Sequence, residues 1–441
     1  MIAVIGAGVS GLSCAWWLRE QGLSARVFES SGDVGGKVRT LSAGMLCEAG
    51  PNTLLADEAL LRWFSRLGLT PLWPAPGCGQ RHVLLRGEYC RLPGGPLALL
   101  AGDFLTWPAK RRLLSGLLRH GGPQAGQASL AAFCRERFGA EVLERLLDPL
   151  VSGIFAGDPE ELLLAETLPA LAVAAQQPGP LWRALLRTHR RSGRRRVCTL
   201  DGGLQSLPRR LAQDLQVRLD SPVLELARAG GAWRLRTAAG WERFDRVVLA
   251  LPADRAAVLL QPLAPKPAAL CLRVPYAPVA VASTLVRASA LARPLPGFGG
   301  LHPGSEAALA LGHLMSSNLY PHVCRPGERL LTSFIGGRRQ AGLMALDDEA
   351  LLALLNRELE RLFGLRERPL VQRLTRWPTA LPQGTAVQGE LRAAFAPWAE
   401  RGLHLCVNWL DGASLPDCLE KGRRLALSIA SRDGPALRRR R

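Results

Sequence analysis

Apolar residues run continuously at the start of the chain and fall into helical stripes through its middle. Residues 2–5 are an unbroken apolar run of strand length, the pattern of a strand covered on both faces. The stripe Leu12, Ala15, Trp16 follows at helical spacing. A second strand is predicted over 25–28 and a second helix over 58–67, with Leu60, Leu61, Phe64 and Leu67 on one face. Pro71, Pro74 and Pro76 then close this unit. Residues 82–196 pattern largely as helix, including 129–138 and 141–150. After Leu200 come a helix over 206–214 and strand-like pieces at 217–219, 223–226, 233–236 and 246–251. Residues 266–365 mix strands with a helix over 348–363, and 403–431 read as strand, loop and closing helix.

This order predicts an α/β protein with a Rossmann-like nucleotide-binding domain in three pieces, 1–76, 199–265 and 381–431. Two regions are inserted into it: a helical one over 77–198 and an α+β, substrate-binding one over 266–380. A basic tail, 432–441, reads as disordered.

The first turn carries the most specific chemistry. Gly6, Gly8 and Gly11 stand at G-x-G-x-x-G spacing between a predicted strand and a predicted helix. Such a turn lets the backbone approach a pyrophosphate and aims the helix N-terminus at it. Glu29 closes the second strand 18 residues past Gly11, where a carboxylate reaches ribose hydroxyls. A second glycine pair, Gly35-Gly36, followed by Lys37 and Arg39, forms a cationic loop that an NAD site does not need and an extended FAD does.

The 441 residues carry a formal net charge of +19, which favours anionic partners: acidic lipid surfaces or a polycarboxylate substrate. No zinc-finger, helix-turn-helix or aromatic RNA-binding pattern accompanies the charge, so nucleic acid is not expected. Residues 97–118 set Leu97, Leu99, Leu100, Phe104, Leu105 and Trp107 beside Lys110, Arg111 and Arg112. That suits a segment lying in lipid headgroups, or a core helix with a solvated basic face. A second basic cluster, Arg190, Arg191, Arg194, Arg195 and Arg196, reads as loop. The ten cysteines are scattered singly and the seven histidines are dispersed, so neither a disulfide framework nor a metal site is expected. Reduced thiols, the lack of a signal-like start and the lack of a spanning apolar run predict a cytoplasmic chain, peripheral on a membrane at most.

Several segments together resemble the protoporphyrinogen oxidase family, the haem-pathway branch of the amine-oxidase-like flavoproteins. They are residues 48–53 (Glu-Ala-Gly-Pro-Asn-Thr), 148–159, 199–208, 297–301 with His302-Pro303 and Glu306, Gly336-Gly337, and 408–418. The resemblance runs from residue 1 to about 431. It implies non-covalent FAD, since Cys406 and Cys418 stand in contexts different from the cysteine used by covalent relatives. The implied cofactor contacts are Gly6, Ala7, Gly8, Val9, Ser10, Gly11, Glu29, Ser30, Gly35, Gly36, Lys37, Val38, Arg39 and Thr40 in the N-terminal loops. Val223 is implied at the adenine, and Trp377, Ala413, Ser414 and Leu415 toward the isoalloxazine end. Arg81 matches a position whose arginine pairs with a substrate propionate; Leu301 and Phe334 match the clamps on the macrocycle faces, and Gly153 the space left for it.

The implied reaction is the six-electron oxidation of a porphyrinogen in three two-electron steps, with dioxygen as acceptor. No residue is assigned as acid or base, and Val387-Gln388-Gly389-Glu390 departs from the Gly-His often found there, so no role is given to it. Three alternatives remain open: a coproporphyrinogen substrate with four propionates, another amine-oxidase-like flavoenzyme, and a binding protein of the same fold without flavin chemistry. A homodimer is also left open.

Overall fold

The computed structural model describes residues 1–42, 44–121, 127–191 and 195–437. The apolar run Ile2–Ile5 is a strand buried along its whole length. It stands at the centre of a five-stranded parallel sheet ordered Gln216–Arg218, Ala25–Phe28, Ile2–Ile5, Arg246–Leu249, Leu403–Leu405. A central parallel strand is covered on both faces, which is why it carries no polar alternation. On one face lie the helix Val9–Glu20 and the closing helix Leu415–Leu437; on the other, helices Ala253–Leu260, Pro265–Leu272 and Val387–Phe395. The expected helices over 58–67 and 206–214 are found at Glu58–Arg66 and Ser206–Gln213, and that over 348–363 at Asp348–Phe363. Asp57 caps the first of these by accepting the Leu60 N–H, as its position before the apolar stripe requires.

The strand-like pieces at 223–226 and 233–236 are found as Glu225–Ala229 and Ala232–Thr237, which with the unanticipated Gly240–Phe244 form their own antiparallel meander. Four expectations are corrected. The region over 82–196 opens not with a helix but with a hairpin, Arg81–Leu85 and Glu88–Arg91. The helix expected over 141–150 continues through a wide turn at Leu143–Leu147 into Asp148–Phe155, so Gly153 lies on a helix. The second arginine cluster is not one loop. The helix Leu181–Arg191 runs into it and the strand Arg196–Leu200 begins at its end, while Arg194 lies outside the described residues. The tail expected as disordered over 432–441 instead continues the closing helix Leu415–Leu437, and 438–441 lie outside the described residues.

The hairpin completes a seven-stranded sheet ordered Val371–Pro382, Tyr276–Arg287, Glu328–Gly336, Ala310–Leu314, Gly299–Leu301, Arg81–Leu85, Glu88–Arg91. One face packs on the helix Asp348–Phe363 through Leu84, Ala280, Ala282, Leu331 and Ile335. The other carries Val279, Val281, Phe334 and Trp377. Residues 97–118 fold into helices Pro96–Ala101 and Trp107–Leu118. They present Leu97, Trp107, Leu114 and Leu118 to solvent. Lys110 is nonetheless buried with its ammonium over the Trp107 ring, and Arg112 donates to the carbonyls of Arg135 and Glu136. Of the three basic side chains expected at headgroups, only Arg111 is exposed without a partner fold contact. Among the described residues no helix is long and apolar enough to cross a membrane.

Candidate active site

At the carboxyl end of Ile2–Ile5 the chain turns on Gly6, which has φ +107° and where a Cβ would come 2.5 Å from the Ala250 carbonyl oxygen. At Gly11 a Cβ would lie 2.1 Å from the Gly6 oxygen, so the helix Val9–Glu20 sits directly on the turn. Gly8, by contrast, faces open space. The first helical turn, with Val9, Ser10 and Gly11, has neither a side-chain cap nor an acidic residue, which leaves its N–H groups and the positive dipole end for an anion. The Gly35-Gly36 loop lies against this turn: Gly35 N–H donates to the Ala7 carbonyl at 2.9 Å, and Gly35 bridges Gly8. Glu29 stands across it, accepting from Ala7 N–H at 2.8 Å and from Ser31 N–H at 3.0 Å, with Ser30 Oγ at 3.3 Å. The open space at Gly8, uncapped N–H groups and a carboxylate at the next strand end fit a dinucleotide pyrophosphate and its ribose.

The rest of the loop reaches the second sheet. Lys37 does not face the glycine turn; its ammonium donates to the carbonyls of Thr379 and Ala380. Burial lowers its pKa to about 8, against the pull of Asp254 and Cys418. Trp377 Nε1–H donates to the Ala49 carbonyl at 2.5 Å, a second tie between the same segments. Val38 is buried and Arg39 exposed. Thr40 Oγ1 donates to Glu48 at 2.9 Å, and Gln205 brackets Thr40 from the other side. Glu48 also accepts the Leu204 N–H at 2.7 Å, yet burial outweighs both hydrogen bonds and raises its carboxyl to about 7. Val223 packs half-buried beside the core on the meander side.

Ala413 and Ser414 lead into the closing helix at Leu415, with Ser414 Oγ accepting the Asp417 N–H at 3.2 Å. Lys421, one turn further in, donates to the carbonyls of Val407, Leu410 and Gly412 at 2.5–2.6 Å and ties down the preceding loop. This helix lies along the first one, with Ser13 Oγ donating to the Leu419 carbonyl at 2.7 Å and Cys406 Sγ to the Ser10 carbonyl. The two helix N-termini, at Val9 and Leu415, therefore lie side by side.

The register of the seven-stranded sheet collects the remaining candidates. Leu301 opposes Gly312 and Gly312 opposes Phe334, so the two apolar side chains share one face with a glycine between them. Arg81 pairs with Gly299, two residues from Leu301, on that same face. Gly153 meets it from the helix Asp148–Phe155: a Cβ there would come 2.3 Å from Leu301 Cδ2. Leu301 and Phe334 are half-buried, and Trp377 lies two strands further along. Arg81 is exposed, its guanidinium 4.8 Å over the Phe298 ring, with no carboxylate paired to it among the described residues. Leu301, Phe334 and the unpaired Arg81 thus share one face of the seven-stranded sheet, with Gly153 packed directly on Leu301. Sequence reading passed over Glu48, Gln205 and Lys421. Glu48 stood in a recognised motif without a role; Lys421 gives no local signal, since its three acceptors are set by the fold.

Comparison with known proteins agrees with this geometry. Residues 9–430 match the family described as flavin containing amine oxidoreductase. The chain belongs to that family. It is accordingly an oxidoreductase with FAD as its cofactor. Protoporphyrinogen oxidase 2 of Arabidopsis thaliana is 29% identical over 424 residues, covering 86% of this chain and 84% of the relative. Coproporphyrinogen III oxidase of Bacillus subtilis (strain 168) is 25% identical over 461 residues, covering 96% of each. Among solved structures, a protein of Exiguobacterium sp. 255-15 provisionally named protoporphyrinogen oxidase superposes with a TM-score of 0.82 at 25% identity, covering 98% of both chains. A putrescine oxidase superposes at 0.72 with 16% identity, which speaks for the fold alone. The curated relatives that align along most of the chain carry porphyrinogen oxidase names, at 25–29% identity.

Proposed function

We propose that the protein oxidises protoporphyrinogen IX to protoporphyrin IX in three two-electron steps, with dioxygen as the final acceptor. The observation that carries this reading is the row Leu301–Gly312–Phe334, opposed by Gly153 and rimmed by Arg81. A flat, apolar macrocycle needs apolar side chains against it and its propionates need a cation; the sheet face shared by Leu301, Phe334 and Arg81 supports that reading. FAD, when bound, supplies the hydride acceptor and returns the electrons to dioxygen.

The chain's own residues hold and orient. Gly6, Gly8, Gly11, the first helical turn, Gly36 and Arg39 take the pyrophosphate half; Glu29 takes the ribose; Ala413, Ser414 and Leu415 bring a second helix N-terminus to the ring end, where it favours negative charge. Lys37 and Trp377 fix the cofactor loop against the sheet that carries Phe334. Leu301 and Phe334 exclude water from the macrocycle faces while Arg81 sets its direction. No side chain in the row is a proton acceptor, which assigns catalysis to positioning; the proton lost in each step leaves from a pyrrole N–H of the substrate, through tautomerisation, to water. FAD is held without a covalent bond, so acid precipitation should leave the yellow chromophore in the supernatant.

Coproporphyrinogen III is the second substrate to weigh, because relatives with that activity in their names align along almost the whole chain. Anaerobically prepared protoporphyrinogen and coproporphyrinogen, each mixed with flavin-loaded protein and air, should yield porphyrin fluorescence faster from the first. Faster turnover of coproporphyrinogen would transfer the assignment to it, and no fluorescence from either would end the reading.

A docking role follows from the same helical region. Leu97, Trp107 and Leu118, with Ile154 beside Gly153, are more than half exposed on a strongly cationic chain. This supports a peripheral contact with an anionic membrane from the cytoplasmic side, through which an apolar substrate can enter.

A further inference from the structure

We propose that His302, His313 and Glu358 form a closed metal site on the face of the seven-stranded sheet turned away from the cofactor cradle, taking a divalent first-row cation, zinc foremost. His302 follows the strand Gly299–Leu301, His313 lies within Ala310–Leu314, and Glu358 comes from the helix packed across them. All three are buried, and their donor atoms lie within 4.8 Å of one another.

The outer contacts aim these groups inward. His302 Nδ1 donates to the Ala310 carbonyl at 2.6 Å, and His313 Nδ1 pairs with Ser333 Oγ at 2.8 Å. Metal-ligating histidines are oriented in this way, with the second ring nitrogen engaged by a carbonyl or a comparable partner. Glu358 is held by the N–H groups of Leu309 at 2.5 Å and Ala310 at 2.9 Å. His313 Nε2 is buried with Glu358 Oε1 3.2 Å away, an ion-pair contact that falls short of a well-formed hydrogen bond. A buried ring nitrogen in that state is costly, and a cation between it and the carboxylate removes the cost.

The distances suit zinc. With bonds of about 2.0–2.1 Å, tetrahedral ligand atoms stand roughly 3.3 Å apart. The His313–Glu358 separation of 3.2 Å already matches. Tyr89 Oη, 2.7 Å from His302 Nε2, supplies a fourth oxygen once that contact opens by about half an ångström. The Tyr89 ring reaches this place because Gly300 has no side chain; a Cβ there would come 2.1 Å from Tyr89 Cε1. Two imidazoles and a carboxylate are donors that zinc accepts, and Tyr89 joins them as the phenolate, the cation displacing its proton to solvent as it binds. With every ligand buried and no position open to solvent, the ion is structural and joins the helix Asp348–Phe363 to the sheet.

The proposal is independent of the porphyrinogen reading, and metal content tests it. Flavin-loaded protein expressed with added zinc, then desalted, should carry about one zinc per chain by plasma mass spectrometry. His313→Gln and Glu358→Gln should each fall below about one tenth of that while keeping FAD. Expression with cobalt should give ligand-field bands at wavelengths beyond the flavin absorption, readable in the unmodified protein alone. Stoichiometric metal with those bands supports the site. Unmodified protein without metal after both growths would overturn it and leave a hydrogen-bonded triad, as would undiminished metal in both variants.

Discussion

Arg81 is exposed and over an aromatic ring, and no acidic side chain neutralises it among the described residues. A guanidinium in that state can fix a carboxylate and, through it, the carbon presented to the flavin. Arg81→Ala should therefore raise KM and lower kcat. A charge-assisted hydrogen bond is worth roughly 1.5–3 kcal/mol, so kcat/KM should fall about ten- to a hundred-fold with FAD content unchanged. Steady-state kinetics on flavin-loaded variant check this; unaltered kinetics remove Arg81 from the site. Glu48 gives a stability prediction of opposite character. Its folded pKa of about 7 lies above the ordinary 4.5, so the folded chain keeps a proton that the unfolded chain has released. Stability from this group is complete below about pH 4.5 and is lost as pH rises toward 7. Relative to Glu48→Gln, the unmodified protein should weaken by on the order of 2–3 kcal/mol across that window, measured by urea melts at its two ends.

Among the elements, the closing helix Leu415–Leu437 has two tasks: it packs along the first helix and it sets its N-terminus beside that helix's own. Lys421 connects them, because its one ammonium satisfies three carbonyls of the loop before the helix. Lys421→Met leaves those carbonyls without their donor and frees the loop that carries Ala413 and Ser414. The expected cost is about 2–4 kcal/mol of stability, together with weaker FAD binding. Thermal melts of flavin-free protein with and without added FAD measure both, and the variant should gain less from the same added FAD than the unmodified protein does.

For the molecule as a whole, charge and exposed apolar residues coincide at the helical region. Leu97 is 84% exposed, Trp107 75% and Leu118 61%. With Lys110 buried against Trp107 and Arg112 held by carbonyls, the proposed membrane contact rests on insertion of these side chains rather than on a triplet of headgroup contacts. Anionic vesicles should sediment the protein at low salt. Trp107→Ser with Leu118→Ser should release it more effectively than Arg111→Gln, since one basic residue near the surface contributes only about 1 kcal/mol. Protein left in the supernatant at low salt would refute the contact.

The sequence by itself determined the cofactor cradle. Gly6, Gly8, Gly11 and Glu29 act within one strand–turn–helix–strand unit, where backbone sterics and hydrogen bonds are local and spacing alone dictates geometry. The same locality made the stripe of the helix Glu58–Arg66, the helix Asp348–Phe363 and the buried run at Ile2–Ile5 readable. It failed at the hairpin of residues 81–91 and the meander of residues 225–244, because short strands obtain their partners from distant sequence. The tertiary structure alone decided that Gly153 touches Leu301, that Phe334 shares a face with Arg81, and that Lys37 ties the cofactor loop to the second sheet. It also brought together His302, His313 and Glu358, which as residues in a chain are scattered. The reason is strand register: a shift of one residue sends a side chain to the opposite face, and register is set by packing over the whole sheet rather than by neighbours in sequence.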